Sequence, residues 1–409
     1  MTSVPRSLAA ALLVTSVLAG CGSAESPGAP ALGTAGADVS APAPLVRRST
    51  SGTIALGNLD ARILLHEAEL SGGDATLGSG LALLGLYADR ARFRGSFADL
   101  TKMRELSASL VARYPSAETH AARARFLSAV HQFQAAAAEL ETARDLGLES
   151  ADAALDDLEV STGGDVQGAV ERHRRRAALL PSFQTLTALA TAEAAGGEFA
   201  AADAHYVQAA SLYRDVSPLA LGWLAFARGV MWAEMAGLPD HALPLYREAV
   251  ERLPGYVTAN VHLAELEVER GERASAVARL ERVAAGTDDP EPAALLAELL
   301  LAADPRASAP YAAVARERYD ALLVEFRLAF ADHGAEFFAG PVGADPERAV
   351  DLALDNVAHR PTPRAYIVAI EAARAAGRRE LACQLALAAE PRRVQSVNLD
   401  VLLDELACH

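Results

Sequence analysis

The sequence predicts an all-α protein, an α-solenoid (superhelix) of antiparallel helix pairs. Three observations carry that reading. From about residue 52 onward alanine and leucine dominate, β-branched runs are absent, and apolar residues recur every three or four positions, as on a helix with one buried face. The chain has 409 residues and no alternating strand pattern, so an internal repeat is a better expectation than one globular bundle. Such a repeat is present in the series Ala136, Ala169, Ala202, Ala242, Ala276, Ala315, Ala349 and Ala382, which keeps a nearly constant step with two longer ones, before Ala242 and before Ala315.

Taken from the start, residues 1–20 have the form of an export signal. Arg6 is the one charge, a 14-residue weakly polar-to-apolar stretch follows from Ser7, and small residues end it. The stretch is too short for a helix to cross a hydrocarbon core roughly 30 Å thick. Leu18-Ala19-Gly20-Cys21 resembles the lipobox of bacterial lipoproteins. The resemblance implies that the chain is cut before Cys21, that its thiol carries diacylglycerol and that the new amine is acylated. Several acyl chains anchor durably where one binds only marginally. Gly22, where an aspartate would retain such a protein at the inner membrane, favours by the same analogy the periplasmic face of the outer membrane in a two-membrane bacterium. Residues 21–51, the cysteine and a linker rich in Gly, Ala, Pro and Ser, are expected to be a disordered tether with a reach of roughly 30 Å.

Residues 52–77 read as an N-terminal capping helix. After them the repeating alanine keeps fixed company. A glycine stands five places before it, a bulky residue four after it, a small one three further on, and often a proline five later. Gly237–Ala242–Tyr246–Ala249–Pro254 shows the full set, and Gly164, Gly197, Gly271 and Gly377 open other copies. His131 takes the glycine place before Ala136, and Gly343 comes one place early before Ala349. This pattern resembles the tetratricopeptide (TPR) repeat, a pair of antiparallel helices. Glycine turns the chain, the small alanine lets the helices approach, Tyr206, Tyr246 and Tyr319 fill the space beside it, and proline stops the second helix. About nine repeats are expected over residues 78–390, the weakest at 291–340, where Asp304-Pro305 and Pro310 are expected to break helices. Residues 391–409, with Leu399, Leu402, Leu403 and Leu406, read as a C-terminal capping helix, because an open stack buries its end faces only under caps.

Charge and chemistry narrow the function. Losing residues 1–20 removes Arg6 from 37 basic residues and none of the 53 acidic ones, leaving a net charge of −17. A nucleic-acid partner is disfavoured by that acidity, and so is adsorption to anionic lipid, which leaves membrane attachment to the acyl chains. Cys383 and Cys408 remain as a possible disulfide closing about 25 residues, worth roughly 3 kcal/mol, or as two free thiols. No phosphate loop, nucleophile elbow or HExxH pair is present, so neither catalysis nor a cofactor is expected. His333-x-x-Glu336 has the spacing of two zinc ligands and carries a minor alternative, a metal-dependent hydrolase; a polar turn beside Phe337 and Phe338 explains it as well.

The first helices of such repeats line the concave groove. The most informative holds Trp223 and Trp232, about 180° apart around the helix, so the two face different surroundings. With Phe226, Val230 and Ala233 toward the core, Arg228, Met231, Trp232 and Met235 fall toward the groove, and these side-chain types favour binding hot spots. The basic run Glu171 to Arg176 is read as a solvated outer face offset by Asp152, Asp156 and Asp157, with docking of an acidic partner as the sharper alternative. The sequence thus predicts a lipid-anchored scaffold of the bacterial cell envelope that binds protein or peptide partners. An accessory subunit positioning a polysaccharide- or peptidoglycan-active enzyme is the other reading.

Overall fold

A computed structural model describes residues 42–72, 76–406 and 408. The export signal, Cys21 and the linker up to residue 41 lie outside the described residues. Among those described there are helices and no strands. Helix α1 (Gly52–Ser71) is followed by nine antiparallel pairs. These are α2 (Leu77–Arg94) with α3 (Ala98–Arg113), α4 (Ala117–Ala129) with α5 (Phe133–Asp145), and α6 (Ala151–Thr162) with α7 (Val166–Leu179). Next come α8 (Phe183–Ala195) with α9 (Phe199–Leu212), α10 (Pro218–Val230) with α11 (Pro239–Arg252), and α12 (Val257–Glu269) with α13 (Arg273–Ala284). The last are α14 (Glu291–Leu301) with α15 (Pro305–Glu325), α16 (Arg327–Ala339) with α17 (Pro346–His359), and α18 (Pro363–Ala375) with α19 (Arg379–Ala389). A 3₁₀ turn, Glu390–Gln395, leads to α20 (Val397–Leu406). The molecule is an all-α solenoid.

The repeat signature has a packing reason at each place. The eight alanines are buried, where any larger side chain would force the paired helices apart. Tyr206, Tyr246 and Tyr319 are buried beside them. On α10, Gly229 is required because a Cβ there would collide with the Tyr246 ring. The turn before each of these alanines tends to pass through the left-handed conformation, which glycine occupies without strain. His131 (φ 57°) and Ala344 (φ 48°) adopt it as well, so the repeat geometry imposes the turn even where the residue resists it. Between α6 and α7 the left-handed residue is Gly163 rather than the expected Gly164. Pro310 does not break a helix. It lies exposed in the second turn of α15, which Asp304 caps by accepting from the Arg306 and Ala307 amides at 3.0 and 3.1 Å. Pro305 at the first helical position lacks an N–H that would have had no partner there.

Successive coils of the superhelix touch. The α2–α3 turn at Gly95 accepts from Thr287 Oγ1 at 3.1 Å and from the Asp288 amide at 3.0 Å. Arg104 on α3 pairs with Glu325 at 2.7 Å, and Arg392 donates to the Gly163 carbonyl at 3.2 Å. Gly197 sits at φ 87° with Val394 O only 2.5 Å from where a Cβ would be. The partners in each contact lie several helix pairs apart in the chain, so about six repeats complete one turn and the next turn rests on it.

His131 is one of these contacts, which explains why a histidine replaces glycine. Its Nε2 faces the Arg360 guanidinium at 3.2 Å, and arginine can only donate. The proton is therefore on Nδ1, which donates to Leu328 O at 3.0 Å. Burial, with the Arg360 charge, holds its pKa down at about 3, consistent with a neutral ring.

Two terminal segments differ from expectation. The end of the linker, residues 42–51, is not loose; it lies as an extended strap across α10 and α11. Leu45 is buried, its amide meets the Glu248 carboxylate, and its carbonyl accepts from Arg252 at 2.8 Å. Thr50 N donates to Val216 O at 2.8 Å. The C-terminal helix α20 does more than cover α19: it reaches α18 and the end of α10, where Asn398 donates to Ala233 O and Glu234 O at 3.2 and 2.8 Å.

Candidate functional site

The first helices of the pairs surround a chamber of about 750 Å³ inside the superhelix. It is bordered by α4, α6, α8, α10, α12 and α18, with Val401, Leu402 and Glu405 of α20 along one side. Its walls are apolar at Val160, Ala194, Val230 and Ile367 and charged at Glu234, Glu265, Glu269, Glu371 and Glu405 and at Arg360, Arg364 and Arg374. Apolar walls with a few placed polar groups are the usual composition of a ligand site.

The groove residues expected from the helical wheel divide. Met231 and Met235 border the chamber. Arg228 and Trp232 do not. Arg228 is fully buried and holds Asp203 of α9 in a two-pronged pair, Nε to Oδ1 at 2.8 Å and Nη2 to Oδ2 at 2.9 Å. Its third nitrogen donates to Ala43 O of the strap at 3.0 Å. Trp232 is 3% exposed, donates from Nε1 to Asp203 Oδ1 at 3.0 Å and packs edge-on against His241. These two side chains bind α9 and the strap to α10, and the expectation that they face a partner is corrected. A wheel orders positions around a helix, but it cannot see that Asp203, on the preceding helix, would claim the arginine.

The sequence reading also missed the end of this helix. Met231–Met235 form a π-helical turn, closed by Ala236 N to Met231 O at 2.9 Å. A π turn inserts an extra residue and re-aims those that follow, and such turns recur at functional sites. Here it presents Glu234 to the chamber, and Asn398 takes up the Glu234 and Ala233 carbonyls. The long step from Ala202 to Ala242 was the available hint of an insertion.

His333 and Glu336 are not assembled as a ligand pair. His333 Nδ1 lies 2.6 Å from Glu291 Oε1, and Glu336 Oε2 accepts from Arg364 at 2.7 Å. Burial opposes charge on His333, but Asp332 and Glu291 outweigh it and push its pKa up to about 10. A protonated imidazole has no lone pair for a metal. Burial raises Glu336 to about 8 against the pull of Arg364. Among the described residues no group of three or more His, Cys, Asp or Glu is set to hold a metal ion.

The basic run on α7 is largely engaged within the molecule. Arg172 and Arg176 both grip Asp156, His173 faces Asp157 at 3.2 Å, and Arg174 reaches Glu198 at 3.0 Å. Asp152, the third expected acid, instead lies 3.7 Å from Arg144. Cys383 on α19 and Cys408 form a disulfide, with Cα atoms 5.5 Å apart, tying the chain end beyond α20 to the last helix pair. No described helix is long and apolar enough to cross a membrane.

No curated protein matches the chain. Solved structures are similar over most of its length at low identity. The yeast Tom70 structure has 12% identity and a TM-score of 0.35, covering 86% of this chain and 96% of that one. The Cut9-Hcn1 hetero-tetramer of APC/C has 11% identity and a TM-score of 0.31, covering 87% and 88%. The human IFIT1 dimer with PPP-AAAA has 14% identity and a TM-score of 0.41, covering 76% and 70%. Residues 234–299, from the π turn after α10 into α14, match the tetratricopeptide repeat family. The chain is thus an all-α solenoid with one segment, residues 234–299, similar to tetratricopeptide repeats.

Proposed function

We propose that this protein is a non-enzymatic scaffold that binds a protein or peptide segment in its interior chamber while a lipid on Cys21 holds it at a bacterial membrane. The observation that carries the binding reading is the 750 Å³ chamber, walled by the first helices of successive repeats and mixed apolar and charged in character. The anchoring reading rests on Leu18 to Cys21 and on the composition of the linker. Because the strap fastens residues 42–51, only about 20 residues separate Cys21 from the body, a reach of roughly 25 Å. The solenoid would thus sit close to the membrane, with α10 and α11 at the end of the tether.

Two measurements test this. Membrane fractionation of Cys21→Ser should move the protein to the soluble fraction with its thermal melt unchanged; a variant that stays with the membrane refutes lipid anchoring there. A photo-crosslinking residue at Met235, in the chamber, should capture a partner that the same residue at Val324, exposed on α15, does not. Equal capture at both positions would refute the chamber as the binding face.

A further inference from the structure

Three elements bring two buried carboxyl groups and a tyrosine hydroxyl together in the chamber. Glu234 comes from the π turn and Glu265 from α12, each with a side chain 11% exposed. His262 Nδ1 lies 3.3 Å from Glu234 Oε1 and 3.3 Å from Glu265 Oε2, so the two carboxyl groups flank one imidazole. Burial holds the His262 pKa below its usual value, against the pull of Glu234 and Glu291. Tyr246 of α11 is 1% exposed, its ring 5.4 Å from His262, and its hydroxyl has no hydrogen-bond partner among the described residues. Oε1 of Glu234 and Oε1 of Glu265 accept no hydrogen bond from them either. Tyr206, the equivalent tyrosine of the preceding pair, has its hydroxyl satisfied by Thr191 at 2.9 Å. The nearby Arg364 is bonded to Glu336.

We propose that the chamber seats an alkylammonium group, carried by a lysine side chain of a bound peptide or by a free polyamine. The ammonium lies between the Glu234 and Glu265 carboxylates with the Tyr246 hydroxyl as a further acceptor, and its alkyl stem runs along Val230, Met231 and Met235. An ammonium has three N–H donors and no acceptor, which matches the three oxygens, Glu234 Oε1, Glu265 Oε1 and the Tyr246 hydroxyl, left without a hydrogen-bond partner among the described residues. Terminal carboxylate torsions are soft, so the inward oxygens can swing to meet it. The proposal rests on the chamber being the binding face and specifies what that face recognises.

The same groups give the binding a pH signature. Burial raises Glu234 to about 7, against His262 and Arg364, with Glu265 and Glu336 adding to the rise. Burial raises Glu265 as well, with Glu291, Glu269 and Glu298 adding and Arg364 opposing. A cation must displace those protons, so affinity rises with pH until the carboxylates are ionised.

The test is calorimetric titration of the full chain with 1,5-diaminopentane, with an end-blocked Gly-Lys-Gly peptide, and with that peptide acetylated on its lysine. Both amines, or one of them, should bind at least tenfold tighter at pH 8.5 than at pH 5.5, and the acetylated peptide at least tenfold more weakly at pH 8.5. Tighter binding of the diamine assigns the site to free polyamines; tighter binding of the peptide assigns it to lysine side chains. Glu234→Gln with Glu265→Gln, which keeps shape and removes charge, should abolish the pH dependence and cost tenfold or more; Tyr246→Phe should cost severalfold. No amine binding at millimolar concentration, or equal affinity for the acetylated peptide, overturns the proposal. If crosslinking at Met235 still captures a partner in the double Gln variant, the scaffold reading survives and the ammonium seat does not.

Discussion

Replacing Asp203 by alanine should destabilise the protein far more than its partly exposed position suggests. Asp203 receives Nε and Nη2 of Arg228 and Nε1 of Trp232, all within 3.0 Å. Arg228 is fully buried, so the substitution leaves a guanidinium in the interior with one carbonyl, Ala43 O, as its remaining hydrogen-bond partner among the described residues. Removing one member of a buried pair costs about 3–5 kcal/mol, because the other charge stays desolvated and uncompensated. The reverse deletion, Arg228→Met, should cost less, about 1–2 kcal/mol: Asp203 keeps its tryptophan donor and can reach water. Combining Asp203→Leu with Arg228→Met should recover most of the loss, since two apolar groups of similar volume can replace such a pair at little net cost. Urea unfolding followed by far-ultraviolet circular dichroism would measure all three. If Asp203→Ala falls within about 1 kcal/mol of wild type, well short of the cost of orphaning a buried charge, the fork is not holding α9 to α10 and the reasoning fails.

Three further outcomes are expected. Stability should be greatest near pH 5 and fall toward pH 9–10. Glu234 and Glu336, raised to about 7 and 8, and His333, raised to about 10, bind more protons folded than unfolded across that window, so the folded state loses ground as pH rises. Urea midpoints that rise from pH 5 to 9 would contradict this, and Glu234→Gln should flatten the slope between pH 5 and 8. Gly197→Ala should cost more than Gly271→Ala. Both residues have positive φ, but a Cβ at 197 meets Val394 O while one at 271 meets nothing within 4 Å; equal losses would mean the coils do not touch there. Reducing Cys383–Cys408, which closes a loop of about 25 residues, should lower stability by roughly 3 kcal/mol and raise hydrogen exchange in α20 before the other helices. Unchanged exchange in α20 would show that the helix is held by packing alone.

What the sequence disclosed was whatever the chain writes within one repeat. The alanine spacing, the tyrosines beside it and the left-handed turns are set by neighbours on the same helix or the next, and the pattern survives even where His131 or Ala344 stands for glycine. Contacts between coils were invisible because their partners lie on helix pairs far along the chain. Nothing near Leu45 announces Glu248 or Arg252, and the pairing of Arg228 with Asp203, although only one helix away, is not encoded in the periodicity of either helix. The strap illustrates the physical reason. Its composition reads as disordered, yet its backbone groups find side-chain partners on α11 that no local propensity encodes. Of the chamber, Met231 and Met235 border it on the face that helical phase gives them, whereas Glu234, in the same π turn, carried no signal in the sequence pattern.

Contact between coils also bears on how such a chain can vary. An open array of repeats gains or loses units freely, because each meets only its neighbours. Here Gly95 must arrive opposite Thr287, His131 opposite Leu328 and Gly163 opposite Arg392. Inserting or deleting one helix pair between those partners would move every later contact out of register at once. The number of repeats is thereby fixed by geometry, as a thread count is fixed by the pitch of a screw.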